Sequence, residues 1–307
     1  MDRIPTGSGR PWPMNIALSL HAMATRFELV LEGEDGVALR AAGEEALREI
    51  ERVDQQLSRY RPDSEISLLN RHAADRPVRV SPPLFHLLED CFRFSILTAG
   101  AFDVTVGPLV RLWRSAGQRG ELPTPDEIEA ARAVTGSANL RFDPENFTIG
   151  FARRGVEIDL GGYGKGYAIE RAVEILRECG VTSGLLHGGT SSVAVIGSTP
   201  WPISLQDPLP PERIELCDQS LSVSAIHGRK FEAGGREYGH VIDPATGQPV
   251  GGALAAAAIG PSPSVCEVIS TALLVRGAEW IAEARAVFQD YQVLIATSDG
   301  GDGSRTE

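Results

Sequence analysis

Residues 155–179 read GVEIDLGGYGKGYAIERAVEILREC, and the fold turns on how they are parsed. Gly155–Leu160 alternate apolar and acidic side chains, the pattern of a strand. From Lys165 to Cys179 apolar residues recur at helical spacing, and Gly180 stands where a left-handed residue closes a helix. Between the two, four glycines within six residues let a backbone come close to a ligand. A helix N-terminus there offers free N–H groups and a positive dipole end, which suit a phosphate, and Lys165 adds a point charge. The spacing is not that of a Walker A loop, since no Ser or Thr follows the lysine, and it is not G-x-G-x-x-G. Taken alone, the segment reads equally well as a tight turn carrying a solvent-exposed lysine.

Upstream, residues 15–33 end in ATRFELVLEG and read as extended chain with alternating burial. Ala42, Ala46, Ile50, Val53 and Leu57 mark one buried stripe on a surface helix. Ser81-Pro82-Pro83 starts another helix, whose pattern runs to Leu97 and stops at Gly100. Thr124-Pro125-Asp126-Glu127 has the form of a capping box. Downstream come short β-like runs, SGLLHGG, SVAVIG, WPISL, LSVSA, YGHVID and GALAAAAIG, then helices over 264–275 and 278–287 and a last strand, QVLIAT. Helices and strands follow no βαβ rhythm, so the fold class is α+β rather than a doubly wound sheet. Residues 1–14 read as a flexible N-terminal tail, 15–298 as one domain and 299–307 as a disordered tail.

The chain of 307 residues carries a net charge of −12, which argues against general affinity for nucleic-acid backbones. Its cysteines, Cys91, Cys179, Cys217 and Cys266, form no C-x-x-C pair, and three of them sit in apolar stretches that read as core. No membrane span, signal peptide or lipobox is seen, so a cytoplasmic protein is expected.

Three further clusters carry polar chemistry. In Tyr238-Gly-His-Val-Ile-Asp-Pro-Ala-Thr-Gly247, His240 ends a strand and Asp243 opens a turn; taken alone, they read as a structural histidine and a turn-capping aspartate. Glu267 and Thr271 lie four apart on a helix and share one face, either an ordinary polar face or a hard-oxygen pair suited to Mg²⁺. Gly100-Ala-Phe-Asp103, leading to Trp113, is a glycine turn with an aromatic and an acid before an apolar segment, or simply a helix end followed by core. No G-x-S-x-G elbow or H-E-x-x-H motif supports a hydrolase triad or a zinc protease.

Together and in this order the clusters resemble the ApbE flavin transferases, which move FMN from FAD to a Thr or Ser of an acceptor protein. The matching stretches are Met23-Ala-Thr-Arg-Phe27, Asp63-Ser-Glu-Ile-Ser67 with Asn70, Gly100-Ala-Phe-Asp103 with Pro108-Leu-Val, Asp159-Leu-Gly-Gly with Lys165-Gly-Tyr-Ala168, Gly188-Gly189, Trp201 with Asp207-Pro208, His240-Val-Ile-Asp-Pro-Ala-Thr-Gly247, and Ser270-Thr-Ala272 with Gly277. The resemblance implies a two-lobed α+β fold with FAD in a cleft between the lobes. It implies contacts to FAD from Met23, Ala101, Phe102, Asp103, Asp159, Lys165 and Ile242. Gly162, through its carbonyl, Glu267 and Thr271 would hold Mg²⁺. His240 is the candidate base, with Asp243 orienting it or holding the turn. The partner implied is an acceptor flavoprotein; a non-catalytic flavin-binding or flavin-delivery protein and an FAD pyrophosphatase releasing FMN and AMP are the alternatives. The chain departs from the family's usual pattern at Ala24 and Ala225, where glycine is usual, at Thr190, and at Glu267, where the metal-binding residue is usually aspartate.

Overall fold

The computed structural model describes residues 14–226, 230–233 and 236–297. Most of the expected N-terminal tail and all of the expected C-terminal one lie outside these; Met14 is already in the first strand.

The chain opens with two strands, β1 (Met14–Ala22) and β2 (Thr25–Gly33), followed by α1 (Gly36–Leu57). Asp35 caps α1 by accepting from the amides of Val37 and Ala38, and the expected stripe from Ala42 to Leu57 is its buried face. A second lobe follows: α2 (Glu65–His72), β3 (Val78–Arg79), α3 (Pro82–Leu97), α4 (Gly107–Arg119), α5 (Pro125–Arg132), β4 (Leu140–Asp143) and β5 (Thr148–Phe151). The Thr124–Glu127 capping box forms as expected at the start of α5. The chain then returns through α6 (Gly164–Glu178), β6 (Gly184–Gly188), β7 (Ser192–Ile196), β8 (Trp201–Ser204), β9 (Arg213–Leu216), β10 (Ser220–Ala225), β11 (Lys230–Ala233), β12 (Arg236–Gly239), β13 (Ala253–Gly260), α7 (Pro263–Arg276), α8 (Ile281–Val287) and β14 (Gln292–Thr297).

One seven-stranded sheet, in the order β1-β2-β6-β7-β10-β13-β14, is antiparallel at every pairing. The period of two in β13 divides its burial: Ala256 and Ala258 face the main core under α1, α6 and α7, while Ala255, Ala257 and Ile259 face a second cluster with Leu205, Leu209 and Leu216 around the β8–β9 ribbon. The second lobe has a small sheet of its own, β3-β5-β4. The α+β expectation holds.

Several local expectations do not. Gly155–Leu160 is not a ladder strand; its one bridge is Glu157 to Val106. The Asn70 side chain donates to the Ile158 carbonyl at 2.9 Å and accepts from the Ile158 amide at 2.7 Å, and the Asp159 amide donates to the Val104 carbonyl. A side chain and a loop have taken the groups a neighbouring strand would use. YGHVID splits: β12 ends at Gly239, and Ile242 makes only a bridge with Pro249. The expected helix over 278–287 begins as a 3₁₀ turn at Ala278–Trp280 before α8. Two cysteines, Cys91 and Cys266, are buried, rather than three; Cys179 and Cys217 are exposed. Tyr163, in the glycine-rich turn, is buried against Phe94 and Phe102.

Candidate active site

The glycine-rich turn and α7 meet because α6 and α7 touch at backbone distance. A Cβ on Gly166 would lie 2.5 Å from the Pro263 carbonyl oxygen, so glycine is what permits the approach. The packing sets Lys165, on the first turn of α6, against Glu267 on α7. Lys165 Nζ lies 3.5 Å from Glu267 Oε1 and donates to the hydroxyls of Ser191 and Ser192. Ser192 in turn donates to Glu267 Oε1 at 2.7 Å.

Glu267 is 4% exposed, and its Oε2 has no hydrogen-bond partner among the described residues. An unsatisfied carboxylate oxygen in that position costs free energy unless something fills its lone pairs. One helical turn on, Thr271 Oγ1 sits 3.3 Å from Ser224 Oγ and 3.4 Å from where a Cβ on Gly162 would be. Ser270 bonds to Ser222 and Ser224. The result is a wall of hydroxyls with one acid and one base, beneath a glycine turn whose Gly161 and Gly162 are exposed. Three of the expected residues, Lys165, Glu267 and Thr271, are therefore brought together beside Gly162.

Asp159 stands two residues before that turn. It accepts from the Gly161 amide at 2.9 Å and forms an ion pair with Arg59. Arg59 also pairs with Glu157 at 2.8 Å, and Glu157 with Arg111 at 2.9 Å. Burial works against the charge on Arg59, but Asp159 and Glu157 more than offset it and hold the guanidinium above its ordinary pKa. Met23 and Ala24 form the two-residue link between β1 and β2. Gly189 packs on Thr25 beside this link, at the mouth of the loop leading to Ser191.

The remaining expected residues have structural surroundings. Ala101 and Phe102 are in the main core. The buried Asp103 carboxylate accepts from Ser95 Oγ, from the amide and hydroxyl of Thr105, and from the Ser137 amide. It ties α3 to the loops before α4 and β4. Ile242 packs with Leu109, Trp113 and Ile128. Asp243 accepts from the Ala245 amide at 2.8 Å and from Thr246 Oγ1 at 2.9 Å, so both of its oxygens hold the turn. His240 is half-buried and follows Gly239, which packs against Ile226, two residues past Ser224. It thus stands at the sheet end where Ser224 meets Thr271.

Arg59 and the serines at 191, 192 and 222 were not singled out from the sequence, and Ser270 entered only within the stretch Ser270-Thr-Ala272. Ser192 and Ser222 are cross-strand partners on β7 and β10, a register that no local pattern specifies. Arg59 carried a signal only as a basic residue just past the end of a helix.

Comparison with known proteins places this geometry in a family. The ApbE family model matches residues 23–295. The FAD:protein FMN transferase of Vibrio cholerae serotype O1 is 30% identical over 300 residues, spanning 93% of this chain and 89% of its own. The FAD:protein FMN transferase of Treponema pallidum is 29% identical over 265 residues, 78% of this chain and 73% of its own. Among solved structures, the ApbE protein of Thermotoga maritima superposes with a TM-score of 0.86 at 29% identity, covering 96% of this chain and 97% of that one. The flavin transferase ApbE of Vibrio cholerae does so with 0.77 at 26% identity, covering 94% and 95%. The chain belongs to the ApbE family.

Proposed function

We propose that this chain transfers FMN from FAD to the hydroxyl of a Thr or Ser on an acceptor protein, releasing AMP, with Mg²⁺ assistance. The observation that carries the reading is buried Glu267: its Oε2 has no hydrogen-bond partner among the described residues, its Oε1 faces Lys165, and Thr271, one helical turn on, lies against Gly162 of the turn. Among the described residues no three His, Cys, Asp or Glu side chains gather as a metal cluster. The donor set here is of another kind, one carboxylate, one hydroxyl and a backbone carbonyl, and hard oxygens of that kind suit Mg²⁺. Glu267, Thr271 and Gly162 would hold the ion. Bound there, it would neutralise charge on the FAD pyrophosphate.

The rest is work for the chain's own groups. The amides at the start of α6 and the Lys165 ammonium favour an anionic pyrophosphate. Arg59 fixes Asp159 and with it the entry of the turn. The acceptor oxygen bonds to the phosphorus on the FMN side, the bond to the AMP phosphate breaks, and the hydroxyl proton passes to His240. Such phosphoryl transfers ask mainly for positioning and charge neutralisation. A general base is worth roughly 10²–10⁴-fold.

The test is AMP release from FAD by the purified protein with Mg²⁺, with and without a Thr-containing acceptor peptide. AMP together with a flavinylated peptide is the expected result. AMP with free FMN would make the chain an FAD pyrophosphatase. Bound FAD with no AMP across a range of acceptors would make it a flavin-binding protein. Glu267→Gln is expected to lower turnover at least about 100-fold, the scale on which removal of one charge-stabilising group acts.

A further inference from the structure

The two carboxylate oxygens of Glu267 have unlike surroundings. Oε1 accepts from Ser192 at 2.7 Å and faces Lys165 Nζ at 3.5 Å, whereas Oε2 is buried without a partner among the described residues. Ser192 is wholly buried on β7, opposite Ser222 of β10, and its hydroxyl has no route to solvent. It accepts from Lys165 at 3.3 Å and spends its one proton on Glu267. The chain Lys165, Ser192, Glu267 therefore runs in one direction and ends on a single oxygen.

This matters because a glutamate side chain is long and rotates freely unless something holds it. A free glutamate can turn both oxygens towards an ion. We infer that Ser192 is a positioning residue: it holds Oε1 so that Glu267 presents Oε2 alone, as a one-point ligand, and thereby biases the site towards Mg²⁺ over Ca²⁺. The inference rests on the metal role proposed for Glu267. The physical basis is that Mg²⁺ demands short, near-octahedral contacts, whereas Ca²⁺ accepts carboxylates through one oxygen or two in a loose geometry. Releasing Oε1 would open the two-oxygen mode and favour the larger ion. Groups that orient a metal ligand typically matter at the 10- to 100-fold level.

The experiment uses the full-length protein without nucleotide. Binding of Mn²⁺ is followed by electron paramagnetic resonance, and Mg²⁺ and Ca²⁺ are then titrated in competition, which gives their affinity ratio. Wild type should bind Mn²⁺ and Glu267→Gln should not. In Ser192→Ala the Mg²⁺-to-Ca²⁺ ratio should fall about tenfold, and Ser192→Thr, which keeps the hydroxyl, should restore it. If Ser192→Ala does not fold, Ser192→Cys, whose thiol is a weak donor, is read in its place with the same expectation. An unchanged ratio, with Glu267→Gln still unable to bind, would overturn the positioning role and leave the metal site standing. No Mn²⁺ binding by wild type would overturn the metal reading and this inference with it.

Discussion

Met23 and Ala24 have φ of 50° and 57°, both in the left-handed region. Ala22 pairs with Thr25, so these two residues form the whole connection between β1 and β2. Two-residue hairpins of this hand need positive φ at both positions and favour Asn-Gly or Gly-Gly. A left-handed residue with a Cβ costs about 1–2 kcal/mol, part of which glycine returns through the larger entropy of its unfolded state. Ala24→Gly should therefore stabilise the fold by about 0.5–1 kcal/mol, read as a higher denaturant midpoint with unchanged slope. Asn70 illustrates the opposite sign. Its amide serves both backbone groups of Ile158, which is fully buried. Asn70→Leu would strand both groups, each at about 1–3 kcal/mol, and loosen Asp159 next to them. A denaturation midpoint like that of wild type would refute this role. These two residues also show what sequence could and could not tell. The Gly161–Gly166 turn and the Glu267–Thr271 pair were legible because each lies within one local element, where spacing fixes geometry. The strain at Ala24 was not, because strand register imposes it. The grip of Asn70 was not, because its partner lies 88 residues away.

Between elements, the contact of α6 with α7 sets the site. Gly166→Ala would place a methyl 2.5 Å from the Pro263 carbonyl and 2.8 Å from Ser264 Cα, atoms that cannot rotate aside. Overpacking of this kind costs about 1–3 kcal/mol. Because Lys165 is the adjacent residue, FAD turnover in this variant should fall by more than the loss of folded protein explains, measured as turnover per folded molecule. One turn further along α6, Glu170 accepts from Ser264 of α7. Burial raises its pKa above the ordinary value of 4.5, and the hydrogen bonds from Ser264 and Ser262 only partly oppose this. A carboxyl whose folded pKa is raised binds its proton more tightly in the folded state. Stability from this group is complete below the unfolded pKa and is lost as pH rises through the folded one. Glu170→Gln, which cannot ionise, should remove that loss. The melting temperature of the variant relative to wild type should rise as pH increases from about 4.5 towards neutrality. A constant difference would show that Glu170 does not ionise differently on folding. The elements themselves were largely readable, since α1, α3, α5, α6 and α7 each begin or run where caps and periodicity put them. The segment at 155–160 misled because its alternation is genuine. Val156, Ile158 and Leu160 are buried while Glu157 and Asp159 meet Arg59, without any strand beside them.

At the scale of the whole molecule, the lobes share one hydrophobic interior. Phe27 of β2, Leu84 and Phe85 of α3, Ile149 of β5, Ile169 of α6 and Ile269 of α7 belong to a single contiguous cluster. The polar ties cross the same boundary, with Arg59 holding Glu157 and Asp159, and Trp113 of α4 donating to the Gly247 carbonyl. A core that cannot be divided without exposing apolar surface on both sides should unfold as a unit. Calorimetry should show one transition whose calorimetric and van't Hoff enthalpies agree. Two resolved transitions would mean that the second lobe is held more weakly than its packing implies. FAD sharpens the test, because the proposed site draws residues from several parts of the chain. Ligand at about 100 times its Kd adds roughly 2.7 kcal/mol to whatever unit must unfold to release it. With Mg²⁺ and an FAD analogue whose pyrophosphate cannot be cleaved, the single transition should move upward whole, without splitting. If one part of a transition moved while another stayed, the ligand would be held by one lobe alone, and the cleft between them would not be where FAD sits.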